Sequence, residues 1–351
     1  MVVALVLALA LALIAPWAGC GDDDHPSRDD DHPGLHVVDN QLVDRDGEPV
    51  RLLGVNRSGA EYACVGGHGF FAGPTGRRAV AAMAAWGINA VRVPLNEHCW
   101  LGINDAPTGY SRARYRRAVR GYVARLHRAG LYVVLDLHWN APGDLPAKQR
   151  PMADLDHAPA FWSSVARAFK DDHALVFDLY NEPHGIGWEC WRDGCKLSEG
   201  WRTAGMQSLV DAVRETGAQQ PIVLTGLGWG TDLSSWLEYR PDDPADQLAA
   251  GVHFYDFASC ASVGCWRRTV DPVARDVPVV VTEIGERECS GAFFDRFMSW
   301  ADSADVSYLA WSWNPSGCAA PALIESWDGR PTPSGERLRE RLLALKPMKL
   351  R

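Results

Sequence analysis

From residue 35 onward, short β-branched or apolar runs alternate with amphipathic segments, the rhythm of repeated βα units. Eight runs read as strands: 51–56 (RLLGVN), 88–94 (INAVRVP), 131–137 (LYVVLDL), 175–180 (LVFDLY), 221–225 (PIVLT), 249–255 (AAGVHFY), 278–283 (PVVVTE) and 306–313 (VSYLAWSW). Most are nearly continuous in apolar character rather than strictly alternating, as strands covered on both faces require. Helical segments lie between them. The clearest is 112–129, where apolar residues recur at three- and four-residue spacing until Gly130 stops the helix. The lead-in LHVVDNQLVDRDGEPV reads as a hairpin turned by Asp46-Gly47. A single α/β domain folded as a (β/α)8 TIM barrel accommodates every element, with a doubly wound open sheet as the alternative.

Polar residues gather where these strands end: Asn56, Arg92, His138, Asn181 and Glu182, His253 and Tyr255, Glu283, and the aromatic Trp313. In a (β/α)8 barrel the C-terminal rim is where sites are built, so seven strands converge there on one pocket. Two strand ends carry a glutamate, in Asn181-Glu182-Pro183 and in Thr282-Glu283-Ile284-Gly285. A carboxylate in such a place is costly without partners or work. Cleaving a glycosidic bond needs one protonated acid for the leaving oxygen and one ionised carboxylate to attack carbon or activate water.

Carried by Asn-Glu-Pro, the strand-seven Glu, Arg92 in VRVP, His138 in DLHWN, His253 and Tyr255 in HFY and Trp313 in WSWN, residues 35–345 resemble glycoside hydrolase family 5. That family belongs to the (β/α)8 retaining enzymes that include cellulases and mannanases. The resemblance implies that Glu182 is the acid/base and Glu283 the nucleophile. It further implies that Arg92 and Tyr255 hold Glu283, that Asn181 meets a sugar 2-hydroxyl, that His138 and His253 floor the site, and that Trp313 stacks on a sugar face. Glu182 is expected to have a raised pKa through the nearby negative charge. Asp136 and Asp178, inside strands, read as structural hydrogen-bonding groups, and Trp100, Trp139, Trp188 and Trp229 as candidates to line subsites. The implied substrate is a β-linked polysaccharide or oligosaccharide, by default a β-1,4-glucan. A mannan, an exo-acting glycosidase on another glycan, and a non-catalytic carbohydrate-binding surface lipoprotein are the competing readings.

The first twenty residues set the compartment. Residues 2–18 form an apolar run too short for a spanning helix and read as a signal peptide, followed by Trp17-Ala18-Gly19-Cys20, which resembles a bacterial lipobox with Cys20 as the lipidated residue. Residues 21–34 hold six Asp against one Arg, which leaves about −4 of the net charge of −9 to everything else. This stretch reads as a solvated linker, the catalytic domain as 35–351, and nucleic acid as an unfavoured partner. The expected place is extracellular or the cell envelope, tethered to a bacterial membrane by lipid, as a monomer.

Nine cysteines less Cys20 leave eight, an even number fit for an oxidising compartment. Eight cysteines allow 105 pairings. Cys190 with Cys195 and Cys260 with Cys265 would close short loops, leaving Cys64 with Cys99 and Cys289 with Cys318. No Cys-x2-Cys favours zinc, and no nucleotide or phosphate motif appears, so no metal or cofactor is expected.

Overall fold

The computed structural model describes residues 34–345. The expected signal peptide, Cys20 and all of the Asp-rich stretch except Gly34 lie outside the described residues. Among the described residues no helix is long and apolar enough to cross a membrane.

Two strands, β1 (Leu35–Val38) and β2 (Gln41–Asp44), form an antiparallel hairpin. Then come β3 (Leu53–Asn56), β4 (Ala90–Asn96), β5 (Tyr132–Trp139), β6 (Leu175–Asp178), β7 (Ile222–Thr225), β8 (Leu248–Tyr255), β9 (Val279–Gly285) and β10 (Ser307–Ala310). These eight pair in parallel, in sequence order, and β10 closes on β3 to complete the barrel. The expected helix over 112–129 spans Ala113–His127.

The hairpin turns elsewhere than the sequence suggested. Asp39-Asn40 joins β1 to β2, with Asp39 at φ 53°, a left-handed conformation that aspartate tolerates. Asp46-Gly47 instead makes the next reversal, where Gly47 N–H donates to the Asp44 carbonyl at 3.0 Å.

The core has two layers. Outward-facing Val91, Val133, Leu135, Phe177, Leu224, Val252 and Val281 pack into the large apolar layer shared with the surrounding helices. Inward-facing Ala90, Val134, Val176, Val223, Ala249, Val280 and Leu309 fill the lower barrel, and Leu35 and Leu42 of the hairpin close it from below. One pleat higher, the inward positions turn polar. Arg92, Asp136, Asp178 and His253 are all buried, so the barrel interior is apolar at its floor and ionic at its mouth.

In β9 a bulge changes which side chain faces in. Val281 pairs with Val252 and Tyr308, and Ile284 with Phe254 and Ala310, so two residues of β9 oppose one on each neighbour. Val279, Val281 and Ile284 all face the helices. Simple alternation would put Glu283 outside with Val279 and Val281, and the inserted residue turns it into the mouth.

Candidate active site

Arg92 organises the mouth. Its Nε donates to Asp178 Oδ2 at 2.8 Å, and its Nη1 donates to Glu283 Oε1 at 2.8 Å and Asn56 Oδ1 at 3.0 Å. From Nη2 it donates to Asn181 Oδ1 at 2.8 Å, with Asp136 Oδ2 at 3.1 Å. Burial acts to lower the guanidinium pKa, but Asp136, Asp178 and Glu283 outweigh it and raise the pKa above its ordinary value. Burial likewise pushes the Asp136 and Asp178 carboxyls up to about 7, with Arg92 opposing. Both aspartates serve the hydrogen-bond lattice: Asp136 meets His138 Nδ1 at 2.6 Å and Asp178 accepts from Thr225 Oγ1 at 3.3 Å.

Glu283 is held at both oxygens. Arg92 takes Oε1, and the Tyr255 hydroxyl donates to Oε2 at 2.5 Å. Burial, and after it Glu283 and Glu182, raises the Tyr255 pKa well above the ordinary phenol value, so the proton stays on tyrosine as a donor. Behind that ring lies Gly285, where a Cβ would stand 2.6 Å from Tyr255 Cε1.

Glu182 is the more open of the two, with 15% of its side chain exposed against 4% for Glu283. Its Oε1 lies 3.0 Å from His253 Nδ1, and its Oε2 accepts from Gln149 Nε2. The Glu182 pKa is raised, and the largest cause is burial, opposed by His138, Gln149 and Arg92. The neighbouring carboxylate invoked from sequence is thus not the main source. His253 is lowered to about 3 by burial and is a neutral imidazole, with Nε2 3.0 Å from Thr282 Oγ1. One oxygen each of Glu182 and Glu283 and a ring nitrogen of His253 all lie within 4.8 Å of one another. Oxygens this close suit a retaining pair, whose carboxyl groups stand about 5 Å apart.

The mouth gathers Asn56, Arg92, His138, Asn181, Glu182, His253, Tyr255 and Glu283, and leaves out Trp313. Trp313 is 1% exposed and packs edge-on against Trp86 at 4.7 Å, so it has no face free for a sugar. The aromatic at the mouth is Trp311, half-buried and stacked on His138 at 5.3 Å and 13°. Trp100 is also internal, packed on Phe161 and Tyr115. Trp229 is 50% exposed and stacks on His184 at 3.4 Å, beside Glu182, while Trp139 and Trp188 are half-buried. Gln149 was missed altogether, because nothing local to a polar loop residue marks it as a carboxylate partner. The structure pairs Cys64 with Cys99, Cys190 with Cys195, Cys260 with Cys265 and Cys289 with Cys318.

A (β/α)8 barrel whose fourth and seventh strands present two carboxylates at this separation defines a retaining glycosidase. The model of the cellulase family, glycosyl hydrolase family 5, matches residues 43–317, and the chain belongs to that family. It is 24% identical over 307 residues to a mannan endo-1,4-β-mannosidase of Salipaludibacillus agaradhaerens, covering 85% of this chain and 87% of that protein. It is 28% identical over 297 residues to endoglucanase MaCel5A of Microbulbifer sp. (strain ALW1), covering 81% of this chain and 51% of that protein. In fold it is similar to β-glucanase SdGluc5_26A from Saccharophagus degradans, with a TM-score of 0.72 at 18% identity, covering 90% and 94% of the two chains.

Proposed function

We propose that the protein is an endo-acting retaining hydrolase of a β-1,4-linked polysaccharide, glucan by default, with Glu283 as nucleophile and Glu182 as acid/base. The observation that carries this is the asymmetry of the pair. Glu283 receives two fixed hydrogen bonds that orient an anion, whereas burial raises the pKa of the more open Glu182 and favours its protonated form. Glu283 attacks the anomeric carbon while Glu182 gives its proton to the departing oxygen. Glu182, now ionised, then takes a proton from the water that releases the sugar. Asn181, whose Oδ1 is occupied by Arg92, keeps its amide N–H groups for the 2-hydroxyl. Trp311, stacked on His138, and the exposed Trp229, stacked on His184, supply flat apolar faces for sugar rings.

Glucan is supported by endoglucanases among the relatives and by the β-glucanase from Saccharophagus degradans, whose structure has been solved in complex with cellotetraose. Mannan is the second reading, because the Salipaludibacillus agaradhaerens mannosidase matches along most of both chains. Glucose and mannose differ in the C2 hydroxyl, the group assigned to Asn181. Comparing rates on soluble β-1,4-glucan and β-1,4-mannan separates the two.

Azide tests the roles. With an activated aryl glycoside, Glu283→Ala should yield the α-glycosyl azide and Glu182→Ala the β-glycosyl azide. The reverse outcome would exchange the assignments, and no azide product from either folded variant would overturn them.

Four disulfides suit an oxidising, extracytoplasmic setting. A domain over 35–351 tethered through lipidated Cys20 is proposed on sequence alone. Cys20→Ser should abolish fatty-acid labelling and free the protein into the medium.

A further inference from the structure

A second set of buried acids stands outside the proposed chemistry. Glu97 follows β4 at the start of the helix Glu97–Leu101, while Asp154 and His157 belong to the long loop after β5. A ligand atom of each lies within 4.8 Å of the other two. Glu97 and Asp154 are completely buried, and among the described residues neither pairs with Lys or Arg. Glu97 Oε2 accepts from Ala141 N–H at 2.7 Å, but its Oε1 is buried without any hydrogen-bond partner. Asp154 is aimed by the His157 N–H at 2.8 Å and the Asn140 amide at 2.9 Å. Two carboxyl groups, one with an orphaned oxygen, face each other without a Lys or Arg partner among the described residues, an arrangement that is expensive in a dry interior if both are ionised.

We propose that Glu97, Asp154 and His157 bind one divalent cation, with Zn(II) preferred, and that it pins the loop after β5 to the end of β4. The donor set decides the metal: carboxylates with an imidazole suit Zn(II), whereas Ca(II) wants six to eight oxygens. His157 Nδ1 lies 3.5 Å from Asp154 Oδ1 and 2.9 Å from the Ala141 carbonyl. The metal takes the place of the ring proton, and that carbonyl stands ready as a fourth donor. All three ligands must be deprotonated to bind, so a proton is the competitor for the same space and metal uptake weakens in acid. The consequence reaches the catalytic pair because the pinned loop carries Gln149, whose amide holds Glu182.

The test uses the full-length protein, stripped with a chelator, desalted and titrated separately with Zn(II), Mn(II) and Ca(II). Bound metal is counted by elemental analysis and stability followed by thermal denaturation. One zinc per chain and a Tm increase of roughly 5 °C are expected, both lost in His157→Ala. That variant alters a partly exposed side chain and should fold, and Glu97→Gln is the second. A wild-type Tm unmoved by all three metals overturns the site, as does zinc bound equally by wild type and both variants, which would place it on the Glu182–His253–Glu283 cluster. Glu97→Gln with unchanged or higher Tm and no metal response in wild type would assign the space to a shared proton.

Discussion

His253 stands between the two carboxylates of the mouth: its Nδ1 lies 3.0 Å from Glu182 Oε1 and 3.5 Å from Glu283 Oε2. Charging this ring would pair it with both acids, yet burial holds its pKa at about 3 against an ordinary 6.5. The site therefore keeps a neutral spacer where a cation would quench the acid.

This neutrality has a pH signature in stability. Below about 6.5 the unfolded chain takes up a proton at His253 that the folded chain refuses until about 3. The stabilisation is complete above the unfolded value and is lost as pH falls through this window, by about 1.4 kcal/mol per unit. Asp136 and Asp178, raised to about 7, act in the opposite sense and are present in both proteins of a comparison. The Tm of His253→Asn relative to wild type should therefore rise as pH drops from about 7 to about 5. Parallel curves would contradict the buried neutral ring.

Gln149→Leu tests the acid/base environment. The Gln149 amide stabilises the ionised form of Glu182, so its loss raises the Glu182 pKa further. A general acid that stays protonated to higher pH moves the basic limb of the kcat/KM profile upward. A basic limb that stays put or moves down would remove Glu182 from that limb.

Gly285→Ala probes the seat of Tyr255. The new Cβ would meet the tyrosine ring 2.6 Å away and displace its hydroxyl from Glu283. Misplacement on that scale should lower kcat by roughly 10²-fold. A far-UV spectrum and Tm near wild type would show that the loss lies in the site.

Trp311 and Trp313 should separate cleanly. Trp313→Ala empties a buried wall against Trp86 and should cost about 3–5 kcal/mol of stability. Trp311→Ala should leave stability nearly unchanged and lower kcat/KM roughly tenfold, the loss of one stacking face. Denaturant unfolding and initial rates on a soluble polysaccharide decide between them.

The barrel was legible because burial on both faces leaves its mark on each strand separately. Runs such as VRVP and YVVLDLHW carry their own evidence of covered faces, and polar residues at their ends stand out locally. In β5 and β8 plain alternation even gives the right facing, since Asp136 and His138, and His253 and Tyr255, share parity with the inward Val134 and Ala249. Cys64 with Cys99 and Cys289 with Cys318, the pairs left over once the two short loops were closed, are bonded in the fold. Tertiary structure alone decided the rest. Glu283 has the wrong parity for the mouth, and only the bulge, recorded in the register of both neighbouring strands, turns it inward. Trp311 and Trp313 share one motif, and packing against Trp86 buries the second while the first meets His138. Gln149 reaches Glu182 from a loop whose sequence predicts no position, because contacts between distant segments follow from chain closure and have no local periodicity to betray them.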